Sequence, residues 1–157
     1  MNAKQKLIHS LFPNIDESNR LHKQLILHIL SKYLMEEIKT NTEHYFELNG
    51  KKEGEYQAWH PNGKPWKQQF YRNGQLHGER KLWWNNGQMF EHSFYQNNEL
   101  HGEYKDWHPN GKLWEHSFYH NGQLHGEYIC LHRNGQQWRH YIYQYGVVLT
   151  YSNHPSL

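Results

Sequence analysis

Large apolar and aromatic side chains return along most of this chain at a fixed interval of 24 residues. Trp59, Trp83 and Trp107 form one column, which gives way to Leu131; Trp66, Phe90, Trp114 and Trp138 form a second. Phe70, Phe94, Phe118 and Ile142 make a third, and Tyr71, Tyr95, Tyr119 and Tyr143 a fourth. Glycines keep the same step, at Gly54, Gly78, Gly102 and Gly126 and again at Gly63, Gly87, Gly111 and Gly135. A partial unit precedes the first, visible in Phe46 and Asn49-Gly50. Such repetition marks a quasi-one-dimensional fold, in which each unit buries its apolar surface against its neighbours. We read residues 42–157 as the array, with units starting near residues 54, 78, 102 and 126 and a degenerate end.

The unit holds two Asn-Gly turns about eleven residues apart, as at Asn62-Gly63 and Asn73-Gly74. That spacing predicts short strands joined by hairpins and leaves no room for a helix. In "HPNGK", Pro61 lacks the N–H that a two-residue loop would require of it. The expectation is therefore a three-residue loop, with Pro61 and Asn62 in a type I turn and Gly63 left-handed. The same geometry is expected of Arg72-Asn73-Gly74. The turn glycines are then Gly63, Gly74, Gly87, Gly111, Gly122 and Gly135.

Placing His60 opposite Lys64 predicts the pairs Ala58–Trp66, Gln57–Lys67, Tyr56–Gln68 and Gly54–Phe70. Shifted by one unit, this register sets Lys81 against Glu91, Lys105 against Glu115 and Phe94 over Gly78. It puts the Tyr56, Trp66, Phe70 and Leu76 columns on one face and the Trp59 and Tyr71 columns on the other. Both faces are then aromatic and half-polar. The predicted fold class is mainly β: an elongated, single-layer, twisted antiparallel meander of nine or ten strands, with an N-terminal α-helical cap.

Residues 1–41 carry the helical period. "KQKLIHSLF" predicts a short helix stopped at Pro13, and Asn14 with Glu17 offers a capping box. The segment "ESNRLHKQLILHILSKYLMEEIK" sets Leu21, Leu25, Ile29, Tyr33 and Leu34 at helical spacing, broadened by Ile26 and Leu30. An apolar stripe that wide needs cover, and packing over an end of the array is the simplest arrangement.

Composition changes the picture in three ways. Hydrophobic residues are only 36% of the chain and mean hydropathy is −1.13, but aromatics reach 16%, which excludes a disordered chain. Net charge is +2, and residues 43–157 hold eleven Lys/Arg against eleven Asp/Glu, so no basic stripe marks a nucleic-acid surface. Cys130 is the single cysteine. It excludes an intrachain disulfide and a cysteine-built zinc site, and reads as an inert buried thiol. With no signal-peptide core and no long apolar run, the expectation is a soluble intracellular protein, probing no compartment more finely than the cytoplasm.

The unit "GEYKDWHPNGKLWEHSFYHNGQLHGEY" resembles a MORN repeat variant. The resemblance covers about residues 44–149: Gly-x-Tyr, the Trp before the turn, "NGK", the pairs Phe94-Tyr95 and Phe118-Tyr119, then "NGQLHG". Arg80 stands where Tyr is expected, Asn98 where the turn glycine is expected, and "QYGVVLTY" is degenerate. The resemblance implies a curved sheet of hairpins serving interaction, scaffolding or membrane-proximal roles. Related variants are labelled antitoxin-like in bacteria, and similar arrays occur in giant viruses, sometimes behind an F-box, which would place the protein in host cytoplasm. "LHKQLILHILSKYL" is faintly similar to the first F-box helix, although forty residues fall short of that whole domain.

Fifteen histidines pose the question of chemistry. Their columns are His77, His101, His125; His92, His116, His140; and His60, His108, His132. Members lie two strands apart, about 9.6 Å, too far to share one metal ion. The recurring acids Glu55, Glu79, Glu103 and Glu127 read as solvated strand positions, and Asp106, the array's lone Asp, has no expected catalytic partner. No catalytic residue, metal site or cofactor is therefore expected. The expected partner is another protein, met by Trp59, Trp83, Trp107, Tyr71, Tyr95 and Tyr119 as two adjacent ladders. Weak lipid contact and self-association are the alternatives, and no nucleic acid is expected.

Overall fold

The computed structural model describes residues 20–33 and 35–153. The expected first helix and the Asn14–Glu17 capping box lie outside them. The chain divides into two units, residues 1–36 and 37–157. In the first, α1 spans Arg20–Tyr33. Its buried positions are Ile26 and Leu30, one turn apart, whereas Leu21 and Leu25 of the predicted stripe are exposed. The helix read through Lys39 ends six residues sooner, because Met35–Lys39 forms a strand.

Eleven strands form one antiparallel sheet in chain order, not nine or ten. They are β1 (Met35–Lys39), β2 (Glu43–Leu48), β3 (Lys51–Trp59), β4 (Pro65–Arg72), β5 (Gln75–Trp83), β6 (Met89–Gln96), β7 (Glu99–Trp107), β8 (Leu113–His120), β9 (Gln123–Leu131), β10 (Gln137–Gln144) and β11 (Val147–Asn153). The extra strand is β1, hidden in sequence by the helical run before it.

Two kinds of turn alternate. The β3–β4, β5–β6, β7–β8 and β9–β10 loops are three-residue turns of the expected kind: Gly63 N–H donates to His60 C=O at 2.8 Å, and Gly63 has φ +79°. The β4–β5 loop differs from expectation. Arg72 pairs directly with Gln75, leaving a two-residue loop in which Asn73 (φ 51°) and Gly74 (φ 79°) are both left-handed. This tighter form matches the twist of the flanking strands.

The register also needs correction. Trp59 pairs with Pro65 as predicted, but Ala58 then pairs with Lys67, because Trp66 is an extra bulged residue. Every pair beyond it shifts by one: Gln57 faces Gln68, Tyr56 faces Gln69, and Gly54 faces Tyr71. Lys81 and Lys105 face His92 and His116 rather than Glu91 and Glu115. Phe70 covers Gly78 of the following strand, where an added Cβ would sit 3.5 Å from the Phe70 Cβ. Phe94 and Phe118 treat Gly102 and Gly126 alike.

The bulge transfers side chains between faces. Tyr56, Ala58, Lys67, Gln69, Tyr71, Leu82, Glu91, Ser93, Asp106, Ser117 and Cys130 now share a face by pairing and alternation. The sheet's buried residues all lie there, with Ser93 and Ser117 wholly shielded. Small side chains sit among tyrosine rings: Tyr56–Tyr71, Tyr104–Tyr119 and Tyr128–Tyr143 pack edge-on at 6.1, 5.9 and 5.9 Å. Such pairs contribute about 0.5–1.5 kcal/mol each beyond area burial. The single layer builds its core on this one face.

Candidate interaction surface

The two expected ladders separate. Tyr71, Tyr95 and Tyr119 lie on the tyrosine face, half-buried against its core. Trp59, Trp83 and Trp107 follow Ala58, Leu82 and Asp106 and so alternate to the opposite face, also half-buried. They are not adjacent ladders on one surface. The most exposed indoles belong to another column: Trp66, Trp114 and Trp138 are 42%, 43% and 37% exposed. Sequence reasoning placed that column beside Tyr56 and missed it. Its signal was present in the Trp, Phe, Trp, Trp recurrence just after each three-residue turn.

Each of these rings pairs with the ring that precedes its turn. His60 meets Trp66 at 6.1 Å, Trp84 meets Phe90 at 4.5 Å, His108 stacks on Trp114 at 5.8 Å, and His132 stacks on Trp138 at 5.6 Å. Cations add to two of them, with Lys67 4.3 Å over Trp66 and Arg139 4.0 Å over Trp138. The sheet edge that carries the long turns is thus a four-rung aromatic ladder.

The turns of this edge are tied together unevenly. From the first turn to the second, the His60 ring bonds Trp83 C=O (2.9 Å), Asn62 donates to Asn85 C=O (2.8 Å) and Lys64 donates to Asn86 C=O (2.7 Å). The third turn repeats this toward the fourth: His108 to Leu131 C=O, Asn110 to Arg133 C=O and Lys112 to Asn134 C=O. "HPNGK" is a coupling phrase. The second turn reads "WNNGQ", and its Asn86 amide bonds Gln88 within its own turn. Trp84 Nε1, shielded from solvent, has no acceptor among the described residues. Beside this junction lies a cleft of about 300 Å³ lined by Trp84, Phe90, Trp107, His108, Pro109, Trp114 and Arg133.

The other features the sequence raised resolve as follows. Three of the four repeated acids meet histidines: Glu79 bonds His92 (2.8 Å), Glu103 bonds His116 (2.9 Å) and Glu127 lies 2.9 Å from His140 without hydrogen-bond geometry, whereas Glu55 accepts from Gln57 and Gln68. Lys81 and Lys105, bonding from their own strands, lead in holding the Glu79 and Glu103 carboxyls below the usual range. Histidines from separate units do meet, because His120 on the intervening strand lies 4.9 Å from His101 and 5.8 Å from His125. Among the described residues no group of three or more His, Cys, Asp or Glu is placed to hold a metal ion. Cys130 is a buried free thiol bonded to the Tyr128 hydroxyl at 3.1 Å, and burial pushes its pKa up.

The expected Ala58–Trp66 pair, carried two units on, would set Asp106 against Trp114; Asp106 instead lies between Glu91 and Glu115 on its neighbouring strands. Burial, then the Glu115 charge, pushes its pKa up to about 6. Ser93 donates to Glu91 (2.7 Å), Ser117 to Glu115 (2.8 Å) and Tyr104 weakly to Asp106 (3.4 Å). Arg80, the departure in the tyrosine column, donates to Tyr95 (2.9 Å) and approaches Glu91 at 3.5 Å. Asn98 keeps the left-handed turn of its missing glycine (φ 71°), and its side-chain oxygen accepts the Leu76 N–H at 2.7 Å.

Known proteins place the array among repeats. The family described as MORN repeat variant matches residues 52–73, 76–97 and 100–121. Among solved structures, TarM is similar at 13% identity and a TM-score of 0.36, covering 88% of this chain and 25% of TarM. An accessory secretory protein 1, 2 and 3 structure from Streptococcus pneumoniae is similar at 16% identity and a TM-score of 0.23, covering 69% of this chain and 17% of that one. The chain therefore spans a quarter or less of the length of these structures. A search of curated proteins finds no match.

Proposed function

From the premise that residues 52–121 make this chain a member of the MORN repeat variant family, we propose that its array is a non-catalytic scaffold that binds another protein. The observation that carries this reading is the ladder of exposed rings along the long-turn edge. Trp66, Trp114 and Trp138 expose more than a third of their surface while a hydrogen-bonded sheet fixes their spacing. Rigid tryptophans lose little side-chain freedom on docking and dominate interface energetics. No described helix is long and apolar enough to cross a membrane.

The test is a partner-capture experiment from the native cell with matched variants. Trp66→Ser, Trp114→Ser and Trp138→Ser together should abolish capture while the sheet's circular dichroism is retained. Trp83→Ser with Trp107→Ser asks the same of the half-buried column. Capture that survives both sets sinks the reading. Retention by salt-sensitive co-sedimentation with anionic liposomes would transfer the role to a membrane surface.

A further inference from the structure

Resting on the protein-binding reading, the geometry points to a ligand class: we propose that the long-turn edge docks an extended, acidic, proline-bearing peptide in the polyproline II conformation. One of its rings seats in the cleft between the second and third long turns.

Spacing supplies the first argument. The ring pairs recur every second strand, about 9.6 Å apart at standard sheet geometry. A polyproline II helix repeats its side-chain direction every three residues, about 9.3 Å. A peptide laid across the strands therefore presents an equivalent residue to each rung. A β-strand, repeating its direction at about 6.8 Å, would fall out of step at the second rung.

Chemistry supplies the second. Proline rings pack flat on indoles, and the pre-ordered conformer loses little entropy when it docks in an aromatic groove. The cleft has that lining, with the Trp84–Phe90 pair and the His108–Trp114 pair among its walls. Among the described residues no bond of the coupling kind crosses from the second turn to the third, and the Gln88 side chain meets Gly111 by packing alone.

Charge supplies the third. The segments 60–66, 84–90, 108–114 and 132–138 contain Lys64, Lys112 and Arg133 and no Asp or Glu. The position after each segment reads Lys67, Glu91, Glu115 and Arg139, with the cations over Trp66 and Trp138 and the two carboxyls held by Ser93 and Ser117 on the tyrosine face. The array as a whole is balanced, so this edge is a local positive strip that complements carboxylates placed between the prolines. A phosphate backbone is the poorer fit. The four turn segments hold only three cations, few for binding driven by counterion release.

The test titrates the full chain against fluorescein-labelled (Pro-Pro-Glu)4, (Pro-Pro-Lys)4 and (dT)12, read by fluorescence anisotropy at physiological salt. The acidic peptide should bind saturably and the lysine peptide about tenfold more weakly or worse. Trp114→Ala should lower affinity for the acidic peptide by about tenfold, and exposed Arg133→Glu should lower it without touching a ring. Arg133→Glu keeps the test decisive if Trp114→Ala fails to fold. No binding, equal binding of the two peptides, or preference for (dT)12 overturns the proposal. If the acidic peptide fails while the tryptophan variants still lose their captured protein, this ligand class falls and the scaffold reading stands; if capture is also unaffected, both fall.

Discussion

Asp106 occupies a column otherwise filled by Ala58, Leu82 and Cys130, and it is 5% exposed between two glutamates. Its pKa rises from 3.8 unfolded to about 6 folded, so the folded chain binds more protons in that interval. Stability contributed by the protonated form is complete below about pH 4 and is lost as pH climbs through about 6. Asp106→Asn removes that loss. We expect it to stabilise the fold by roughly 1–2 kcal/mol at pH 7.5 and by nearly nothing at pH 4, read from thermal melts of both proteins. Glu79 and Glu103 act in the opposite sense, since their lowered pKa values favour folding above the ordinary glutamate value of 4.5 and lose that effect as pH falls. They cancel in the difference between wild type and variant, and a gain that is the same at both pH values would refute the assignment.

The elements show which parts of the fold the sequence could convey. Pro61 announced the long turn because a missing N–H removes the alternative, and the structure adopts that turn. Trp66 gave no comparable sign. A bulge inserts one residue per hairpin, yet the 24-residue period absorbs it in every unit, so the columns look the same with or without it. That one residue took Trp66 out of the pairing, reversed the assignment of Phe70 and Tyr71 to faces, and hid the exposed ladder. The short turn was misread for the converse reason, since Arg72 carries no constraint to separate two loops from three. Element chemistry also predicts a gain of function for stability. Giving the second turn the donors of its neighbours, with Trp84→His and Gln88→Lys, should restore ties to the third turn. We expect roughly 1 kcal/mol of added stability, seen as a higher urea midpoint at unchanged slope. The same variant removes Trp84 from the cleft and should weaken peptide binding.

Across the whole array the strands follow one another in chain order, and cohesion passes between adjacent strands and between turns one unit apart. The short turns stitch the other margin at each step: Gly74, Asn98, Gly122 and Gly146 N–H donate to Lys52, Leu76, Leu100 and Leu124 carbonyls at 2.8–2.9 Å. At the far end β11 exposes Val147 (64%), Leu149 (56%) and Tyr151 (70%) along an open strand. An unpaired apolar edge is a template for pairing with a second chain. Leu149→Lys is expected to reduce concentration-dependent association in sedimentation velocity while leaving the melting temperature near that of the wild type.

That strictly sequential order of strands has a mechanical side. Tension drawn through the two ends of the sheet would peel hairpins away in succession, because no strand returns to lock an earlier one in shear and the turn ties reach only one unit on. The same serial build lets a peeled hairpin close again on the next one still standing. Such a sheet is poorly made to bear a load.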